Sequence, residues 1–296
     1  MTEAERSTMV VRLDQGPVEY RLEQRGGPVV VVLHGGHMRA SLVLGEEVFA
    51  ESGYTVLAPS RPGYGRTPLS TGTSVSGFAD VTRALCEHLG IAKVAAVVGI
   101  SGGGPTAATM AARHPDLVER LILQSAVGWL AWPDRSTRIG AHVVFAAATE
   151  QATWGAMRGL MRLAPETCLR LLLRDLSTLP VRDVVAALRA QDRATLVALF
   201  SRMRSGSGFI NDLQPAPDVT TEVGQPTLVI ATRKDGAVPF AHAQSLAAVI
   251  AHAELVESQA DSHFIWFGHD WPTIAETIRT FLTTDPPQPL QSVPQT

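Results

Sequence analysis

The residue whose sequence context best predicts a catalytic role is a serine flanked by glycines. Ser101 lies at the centre of residues 99–103, which spell G-x-S-x-G. An apolar run at 94–98 precedes it, and a small-residue segment of helical composition follows at 104–114. A strand, a sharp turn and a helix form the context in which this pattern presents a nucleophilic hydroxyl. The glycines are needed because the turn is strained and brings strand and helix close together.

A serine hydroxyl needs a base to take its proton, and the base needs a carboxylate to orient it. In this context the order along the chain is serine, acid, histidine. Asp235 is the predicted acid, because it follows an apolar run at 227–231 in a turn before a helical pattern. The weaker alternatives are Asp134, Asp212 and Asp218, which fall in a segment without strands, and Asp261, which follows the last predicted strand.

The predicted base is His263, one of nine histidines. It follows the last predicted strand, at 254–256, after a short polar loop. Parallel strands end at one edge of their sheet, so this loop should lie beside those of Ser101 and Asp235. His269 lies further along the chain, where a surface or capping role is the more common one.

Hydrolysis through a serine also needs donors for the developing negative charge, an oxyanion hole. The first predicted donor is the backbone amide of Gly102, directly after the nucleophile. The second is that of Gly36, in the loop that follows the Val-rich run at 29–33. In the same loop we expect His34 to hold the backbone by hydrogen bonds, while His37 is either exposed or lines the pocket.

The elements that must position these residues alternate along the chain. Apolar runs separated by helical patterns predict an α/β fold, with a mostly parallel central sheet covered by helices on both faces. The predicted strands are 18–24 (an edge strand), 28–33, 54–58, 94–100, 121–124, 227–231 and 254–256, and the predicted helices lie near 42–52, 76–89, 103–113, 241–251 and 272–282.

The alternation stops in the middle of the chain, which divides the sequence into parts. Residues 1–126 form the first part of the predicted core domain and 224–284 the second. Between them, 127–223 is rich in Ala, Leu, Arg and Met with helical periodicity and is large enough for a lid. Its plain alternative is a helical subdomain with no role in binding. The proline-rich tail, 285–296, is predicted to be disordered.

The amino-acid composition narrows the classes of molecule that the protein is expected to bind. Apolar content of 45%, charged content of 18% and a net charge of -3 are typical of a globular protein without a nucleic-acid surface. No apolar run approaches the roughly 20 residues of a membrane span, and the N-terminus lacks an apolar signal region, so we expect a cytoplasmic protein. Cys86 and Cys168 fit no disulfide or metal spacing, and we expect no metal and no cofactor. The expected partner is a small apolar substrate; the sequence is also compatible with a homodimer.

Five segments, taken together, resemble the α/β-hydrolase superfamily over about residues 29–282. The resemblance implies a serine-nucleophile, lid-containing, esterase-like enzyme that works through an acyl-enzyme. It also implies a triad of Ser101, Asp235 and His263, with Gly36 and Gly102 as oxyanion donors. The matching segments are His34-Gly35-Gly36 (oxyanion loop), 60–67 (after the fourth strand), 99–103 (nucleophile elbow), 235–239 (acid loop) and Ser262-His263-Phe264 (histidine loop).

Two departures from the usual pattern of the superfamily limit which of its subfamilies the chain resembles. His37-Met38 stands where a proline often follows the glycines of the oxyanion loop, which weakens a likeness to proline iminopeptidases. A serine at position 101 argues against haloalkane dehalogenases and epoxide hydrolases, relatives that use aspartate there.

Three functions remain open. The leading hypothesis is hydrolysis of a carboxylic ester, lactone or thioester. The second keeps the triad but performs carbon–carbon bond hydrolysis or proton transfer in secondary metabolism, and the third is a non-catalytic receptor for a small ligand. Arg39 either pairs with an anionic substrate or is a surface residue. The second hypothesis depends on aromatic and thioether side chains of the predicted lid, which suit a bulky apolar substrate. The alternative is that they form only the hydrophobic core of the lid. They are Trp129, Trp132, Trp154, Met157, Met161 and Met203.

Overall fold

The computed structural model describes residues 5–133, 144–145 and 149–284. One eight-stranded sheet runs through it in the order β1-β2-β4-β3-β5-β6-β7-β8. Strands β1–β2 and β2–β4 pair antiparallel, and the other neighbours pair parallel. The strands are β1 (Met9–Leu13), β2 (Gly16–Glu23), β3 (Val29–Leu33), β4 (Thr55–Pro59), β5 (Ala96–Ile100), β6 (Leu121–Gln124), β7 (Thr227–Ala231) and β8 (Ala253–Glu257).

Helices cover the sheet on both faces. The α-helices of the described residues are α1 (Glu47–Glu51), α2 (Val75–His88), α3 (Gly104–Arg113), α4 (Glu150–Leu163), α5 (Pro165–Leu173), α6 (Val181–Ala187), α7 (Ala190–Phe200), α8 (Gly208–Asp212), α9 (Ala241–Val249) and α10 (Trp271–Thr283).

Strand β3 shows why the central strands are continuously apolar. Val31 and Leu33 pack into the core formed with α2, α3 and α9. Val30 and Val32 point to the opposite core, which α1, α10 and the helices between β6 and β7 complete. Successive side chains of a strand face opposite sides of the sheet, so a strand covered on both faces needs apolar residues at every position. The predicted fold class is confirmed.

Two local predictions were wrong. The strand predicted at 18–24 is not an edge strand, because β2 lies between β1 and β4. Strand β1, whose Met9 and Val10 are exposed, forms the edge and was not predicted, although four of its five residues are apolar. The helix predicted at 42–52 is reduced to α1, since Gly45 has a φ of +71° and packs directly against the Trp266 indole.

The segment between β6 and β7 contains helices α4–α8 and, among its described residues, no strand of the sheet. We call the residues from 125 to 226 the helical insertion. Whether it acts as a lid stays a prediction. The tail at 285–296 and Asp134 lie outside the described residues. Across the part of the chain that is described, no helix has the length and apolarity to cross a membrane.

Gly103 provides a test of the close contact between strand and helix at the elbow. A Cβ atom there would lie 2.1 Å from the carbonyl oxygen of Leu33, which is backbone and cannot turn away. We expect Gly103→Ala to lower the free energy of unfolding by about 2 kcal/mol or more, because the backbone itself would have to shift. Urea unfolding followed by circular dichroism measures this change.

Gly159 is the matched control, because a Cβ there meets no atom within 4 Å. In helix α4, Gly159→Ala should raise stability by up to about 1 kcal/mol. Equal effects of the two substitutions would contradict the steric account of the elbow.

Candidate active site

Ser101 occupies a strained turn between β5 and α3. Its φ is +49°, in the left-handed region that residues with side chains seldom adopt. The turn fits only because its neighbours are small: a Cβ on Gly99 would lie 2.8 Å from the Cα of Gly104. This is the steric reason that the sequence pattern suggested for the glycines. Ser101 lines a large cavity among the described residues, which we call the main cavity.

Asp235 and His263 form a buried hydrogen-bonded pair beside the same cavity. Asp235 Oδ2 lies 2.7 Å from His263 Nδ1. Asp235 Oδ1 accepts hydrogen bonds of 2.8 Å from the backbone N–H groups of Ala237 and Val238. An Nδ1 hydrogen that points at the carboxylate leaves Nε2 as the acceptor, which is the arrangement a general base requires. The structure therefore brings Ser101, Asp235 and His263 together at one cavity.

The alternative residues lie elsewhere. Asp261 binds Lys234 Nζ at 2.7 Å and is 38% exposed. Asp218 caps its own turn by accepting from Thr220. His269 is exposed. Among the described residues, no hydrogen bond or ion pair joins these side chains to Asp235 or His263.

The backbone of His263 is held from two sides. Its N–H donates to the carbonyl of Leu176 at 2.7 Å, and its carbonyl accepts from Ser125 Oγ at 2.9 Å. Ser125 directly follows β6 and has a φ of +45°. Sequence analysis missed both partners, because neither position carries a local pattern that distinguishes it.

Residues 176–178 of the helical insertion also bind the loops of the acid and the histidine. The Thr178 N–H donates to the carbonyl of Lys234 at 2.9 Å. The Ser177 hydroxyl donates to the carbonyl of Asp261 at 2.5 Å. A Cβ on Gly236 would lie 2.7 Å from the Ser177 nitrogen, so the insertion packs directly on the turn that follows Asp235.

His34 holds the predicted oxyanion loop, as expected from sequence. Its Nε2 accepts from the Arg61 backbone N–H at 3.2 Å, so its Nδ1 carries the hydrogen and donates to the Gly35 carbonyl at 2.9 Å. Burial, and then the charge of Arg61, lower the pKa of His34 to about 3, which keeps the ring neutral. The loop passes so near the nucleophile that a Cβ on Gly35 would lie 3.0 Å from Ser101 Cβ.

A buried ion pair joins this loop to the insertion. Arg61 donates to both carboxylate oxygens of Asp212, at 2.5 and 2.7 Å, and through Nε to the His34 carbonyl at 2.7 Å. The Tyr64 hydroxyl donates to Asp212 Oδ2 at 2.5 Å and accepts from the His37 backbone N–H. Burial raises the pKa of Tyr64 well above its usual value, so the phenol remains a donor. Asp212, considered from sequence as an acid for the triad, has this structural role instead.

The main cavity has a volume of about 860 Å³ and lies between the sheet edge and the insertion. Both predicted oxyanion donors, Gly36 and Gly102, line it together with Ser101 and His263 of the predicted triad. Most of the other lining side chains are apolar, including Phe145, Trp154, Leu172, Phe200, Met203 and Phe209 from the insertion. Of the six aromatic and thioether residues noted in the predicted lid, Trp132, Trp154 and Met203 line the cavity, and Trp129, Met157 and Met161 do not.

Two questions left by the sequence receive answers. His37 lines the cavity. Arg39 donates to the Arg202 carbonyl and pairs with Glu5, and it does not line the cavity, which favours the surface alternative over binding of an anionic substrate. The cavity wall also contains Glu46, whose pKa burial raises to about 7 despite its ion pair with Arg21.

The sheet order, the serine after β5, the aspartate after β7 and the histidine after β8 are the features of an α/β hydrolase. The family model described as "alpha/beta hydrolase fold" matches residues 28–270. The chain belongs to this family.

Comparisons with known proteins agree over nearly the whole length. "Uncharacterized hydrolase YcgS" of Bacillus subtilis (strain 168) is 31% identical over 283 residues, which cover 94% of this chain and 99% of that protein. The solved structure of "Alpha/beta hydrolase fold protein from Nakamurella multipartita" is 26% identical, with a TM-score of 0.78, covering 93% of this chain and 99% of that one. A Pseudomonas sp. protein named "2-hydroxy-6-oxononadienedioate/2-hydroxy-6-oxononatrienedioate hydrolase" is 33% identical over 103 residues, 33% of this chain and 36% of that protein.

The ion pair of Arg61 and Asp212 should dominate the stability of the contact between loop and insertion. Asp212→Ala leaves a buried guanidinium without its carboxylate, and we expect the free energy of unfolding to fall by about 3–5 kcal/mol. Asp175→Ala is the control, since Asp175 is a 75% exposed aspartate of the insertion that also lines the cavity. It should cost less than about 1 kcal/mol. Comparable losses in chemical unfolding would show that the buried pair is not a principal stabilising contact.

The neutral His34 should make stability depend on pH. Its folded-state pKa of about 3 lies below the unfolded value of 6.5, so between these values the unfolded chain binds more protons and stability rises with pH. We expect His34→Gln to reduce this slope by up to about 1.4 kcal/mol per pH unit. Urea titrations at intervals from pH 4 to 8.5 measure it. Above pH 7.5 the free energy of unfolding should depend on pH with the same slope in the wild type and in His34→Gln. If the two slopes were also equal below pH 6, the burial of a neutral imidazole would be contradicted.

Proposed function

We propose that this protein is a serine hydrolase that cleaves a carboxylic ester, lactone or thioester through an acyl-enzyme. The observation that carries the proposal is the buried pair of Asp235 and His263 beside the cavity into which the strained turn presents Ser101. A hydroxyl on a strained turn, an imidazole with a fixed tautomer and a buried carboxylate are the three parts of nucleophilic acyl transfer.

In the proposed reaction, Ser101 Oγ attacks the substrate carbonyl carbon while His263 Nε2 takes the hydroxyl proton. Asp235 holds the imidazole and stabilises its positive charge. The backbone N–H groups of Gly36 and Gly102 bind the developing oxyanion. His263 then gives the proton to the leaving alcohol or thiol. Water, activated by the same histidine, attacks the acyl-enzyme, releases the acid and restores the serine.

The cavity supports an apolar substrate of moderate size. Its volume of about 860 Å³ and largely apolar lining suit a group that gains free energy by leaving water. The same lining is compatible with the second candidate, carbon–carbon bond hydrolysis, which the printed name of the Pseudomonas relative favours. That likeness covers 36% of the relative's length, so ester, lactone or thioester hydrolysis remains the first choice.

Turnover of p-nitrophenyl butyrate by the wild type and by Ser101→Ala tests the nucleophile. We expect the substitution to lower kcat by about 10⁴-fold or more, since the remaining groups have no nucleophile to activate. A fluorophosphonate probe should label the wild type and leave Ser101→Ala unlabelled. Wild-type protein that neither turns over esters nor takes the label would favour the receptor hypothesis, and ester turnover that survives the substitution would contradict the proposed mechanism.

Asp235→Asn and Asp261→Asn form a matched pair that tests the acid. Asp235→Asn should lower kcat by about 10⁴-fold, because the amide no longer fixes the tautomer of His263. Asp261→Asn should leave kcat almost unchanged, since this side chain binds only Lys234 on the surface. The reverse result would move the acid to Asp261. Circular dichroism of both variants serves as the control for folding.

A further inference from the structure

His37 is a cavity residue without a role in the proposed triad or oxyanion hole. It directly follows Gly36 and has a φ of +62°, a conformation that few non-glycine residues adopt. Its ring packs among aromatic side chains of the insertion, with centroids 4.1 Å from Phe209, 4.7 Å from Phe145 and 5.4 Å from Trp154. A strained backbone and three aromatic neighbours fix this imidazole in one orientation beside the cavity.

The hydrogen bonds of Ser205 fix the tautomer of His37. Ser205 Oγ is fully buried and lies 2.8 Å from the Nε1 of Trp154, an indole nitrogen that can only donate. Ser205 Oγ also lies 2.7 Å from His37 Nδ1. Nδ1 is the acceptor that the described residues offer to the hydroxyl hydrogen, so Nδ1 accepts and Nε2 carries the ring hydrogen.

Ser205 is itself held in place. Glu150 Oε1 accepts from the backbone N–H of Ser205 at 3.0 Å and from that of Gly206 at 3.3 Å. The Arg204 N–H donates to the His37 carbonyl at 3.0 Å. These contacts, with the Tyr64 hydroxyl on the His37 N–H, leave the imidazole little freedom to turn.

His37 Nε2 has no hydrogen-bond partner among the described residues, although its ring borders the cavity. Burial lowers the pKa of His37 to about 3, so the ring is neutral at physiological pH. A neutral N–H that faces a mostly apolar cavity is costly to leave without an acceptor.

We propose that the Nε2–H of His37 binds a second oxygen acceptor of the substrate, close to the reacting carbonyl. Its place beside Gly36 puts it next to the position where the oxyanion would form, so the preferred substrates are oxoacyl esters, lactones or thioesters. This inference rests on the proposed function of the site. A simple alkyl ester would leave the donor unpaired and react more slowly, by about 10- to 100-fold for one buried hydrogen bond.

The first test compares p-nitrophenyl 4-oxopentanoate with p-nitrophenyl pentanoate, two esters of the same chain length. The measured quantity is the ratio of their kcat/KM values, corrected for the ratio of their rates with hydroxide. We expect a ratio of about 10–100 in the wild type. It should fall to near one in His37→Phe, which keeps an aromatic ring but has no donor.

Two further variants separate an effect of the His37 tautomer from an effect on folding. Ser205→Ala retains His37 but removes the hydroxyl that fixes its tautomer. The ratio should therefore fall to a value between those of the wild type and His37→Phe. Ser201→Ala is the matched control, because the hydroxyl of this residue, directly after helix α7, bonds to the Val197 carbonyl of that helix. Its ratio should equal that of the wild type. A wild-type ratio near one, or a ratio that His37→Phe leaves unchanged, overturns the proposal.

A binding measurement keeps the inference testable if neither ester is turned over, a result that would count against the proposed function alone. In ¹⁵N spectra of the labelled protein, His37 should show the Nε2–H tautomer and no titration between pH 8 and 5. Adding 4-oxopentanoate should shift its Nε2 signal, and adding pentanoate should shift it less. An Nδ1–H tautomer, or equal responses to the two acids, overturns the assignment of His37. The ¹⁵N signal of His37 is assigned by its absence from the spectrum of His37→Phe or by its change in that of Ser205→Ala.

Discussion

The arrangement of the site depends on the buried ion pair between Arg61 and Asp212. The guanidinium is 3% exposed and the carboxylate 8%, so neither charge can find water if the other is removed. Arg61 also holds the carbonyl of His34, and Asp212 lies at the end of α8 in the insertion. One pair therefore fixes both the loop that passes Ser101 and the part of the insertion that faces it. Desolvation offsets much of the attraction within such a pair, yet removing one partner is costly because the other charge is left buried and unpaired.

A second group of contacts holds the opposite side of the cavity. There residues 176–178 bind the backbone of the acid and histidine loops through neutral hydrogen bonds. Among the described residues, the contacts between the insertion and the core loops thus include a buried ion pair near the nucleophile and hydrogen bonds of peptide groups near His263. An opening movement near Arg61 would separate buried charges, whereas one near His263 would break hydrogen bonds that water can replace. The contacts near His263 are consequently the less costly ones to open.

Sequence patterns predicted best the features that follow from parallel strands. Ser101, Asp235 and His263 were found because each follows an apolar strand, and the carboxyl ends of such strands meet at one edge. The edge strand β1 was missed although four of its five residues are apolar, because the periodicity of so short a run does not distinguish a strand from other structure. The partners of His37 and Arg61 could not be predicted, since Ser205 and Asp212 are more than 140 residues away in sequence and no periodicity links them.

In the proposed reaction, neutral groups and a charge-balanced ion pair would surround the developing negative charge. Asp212 lies so close to Gly102 that a Cβ on this glycine would be 3.3 Å from Oδ2, and an unpaired carboxylate there would oppose an oxyanion. Arg61 cancels that charge with two hydrogen bonds. Burial keeps the rings of His34 and His37 uncharged. In the proposed reaction, the backbone amides and fixed dipoles on this side of the cavity would need no reorganisation as the negative charge forms.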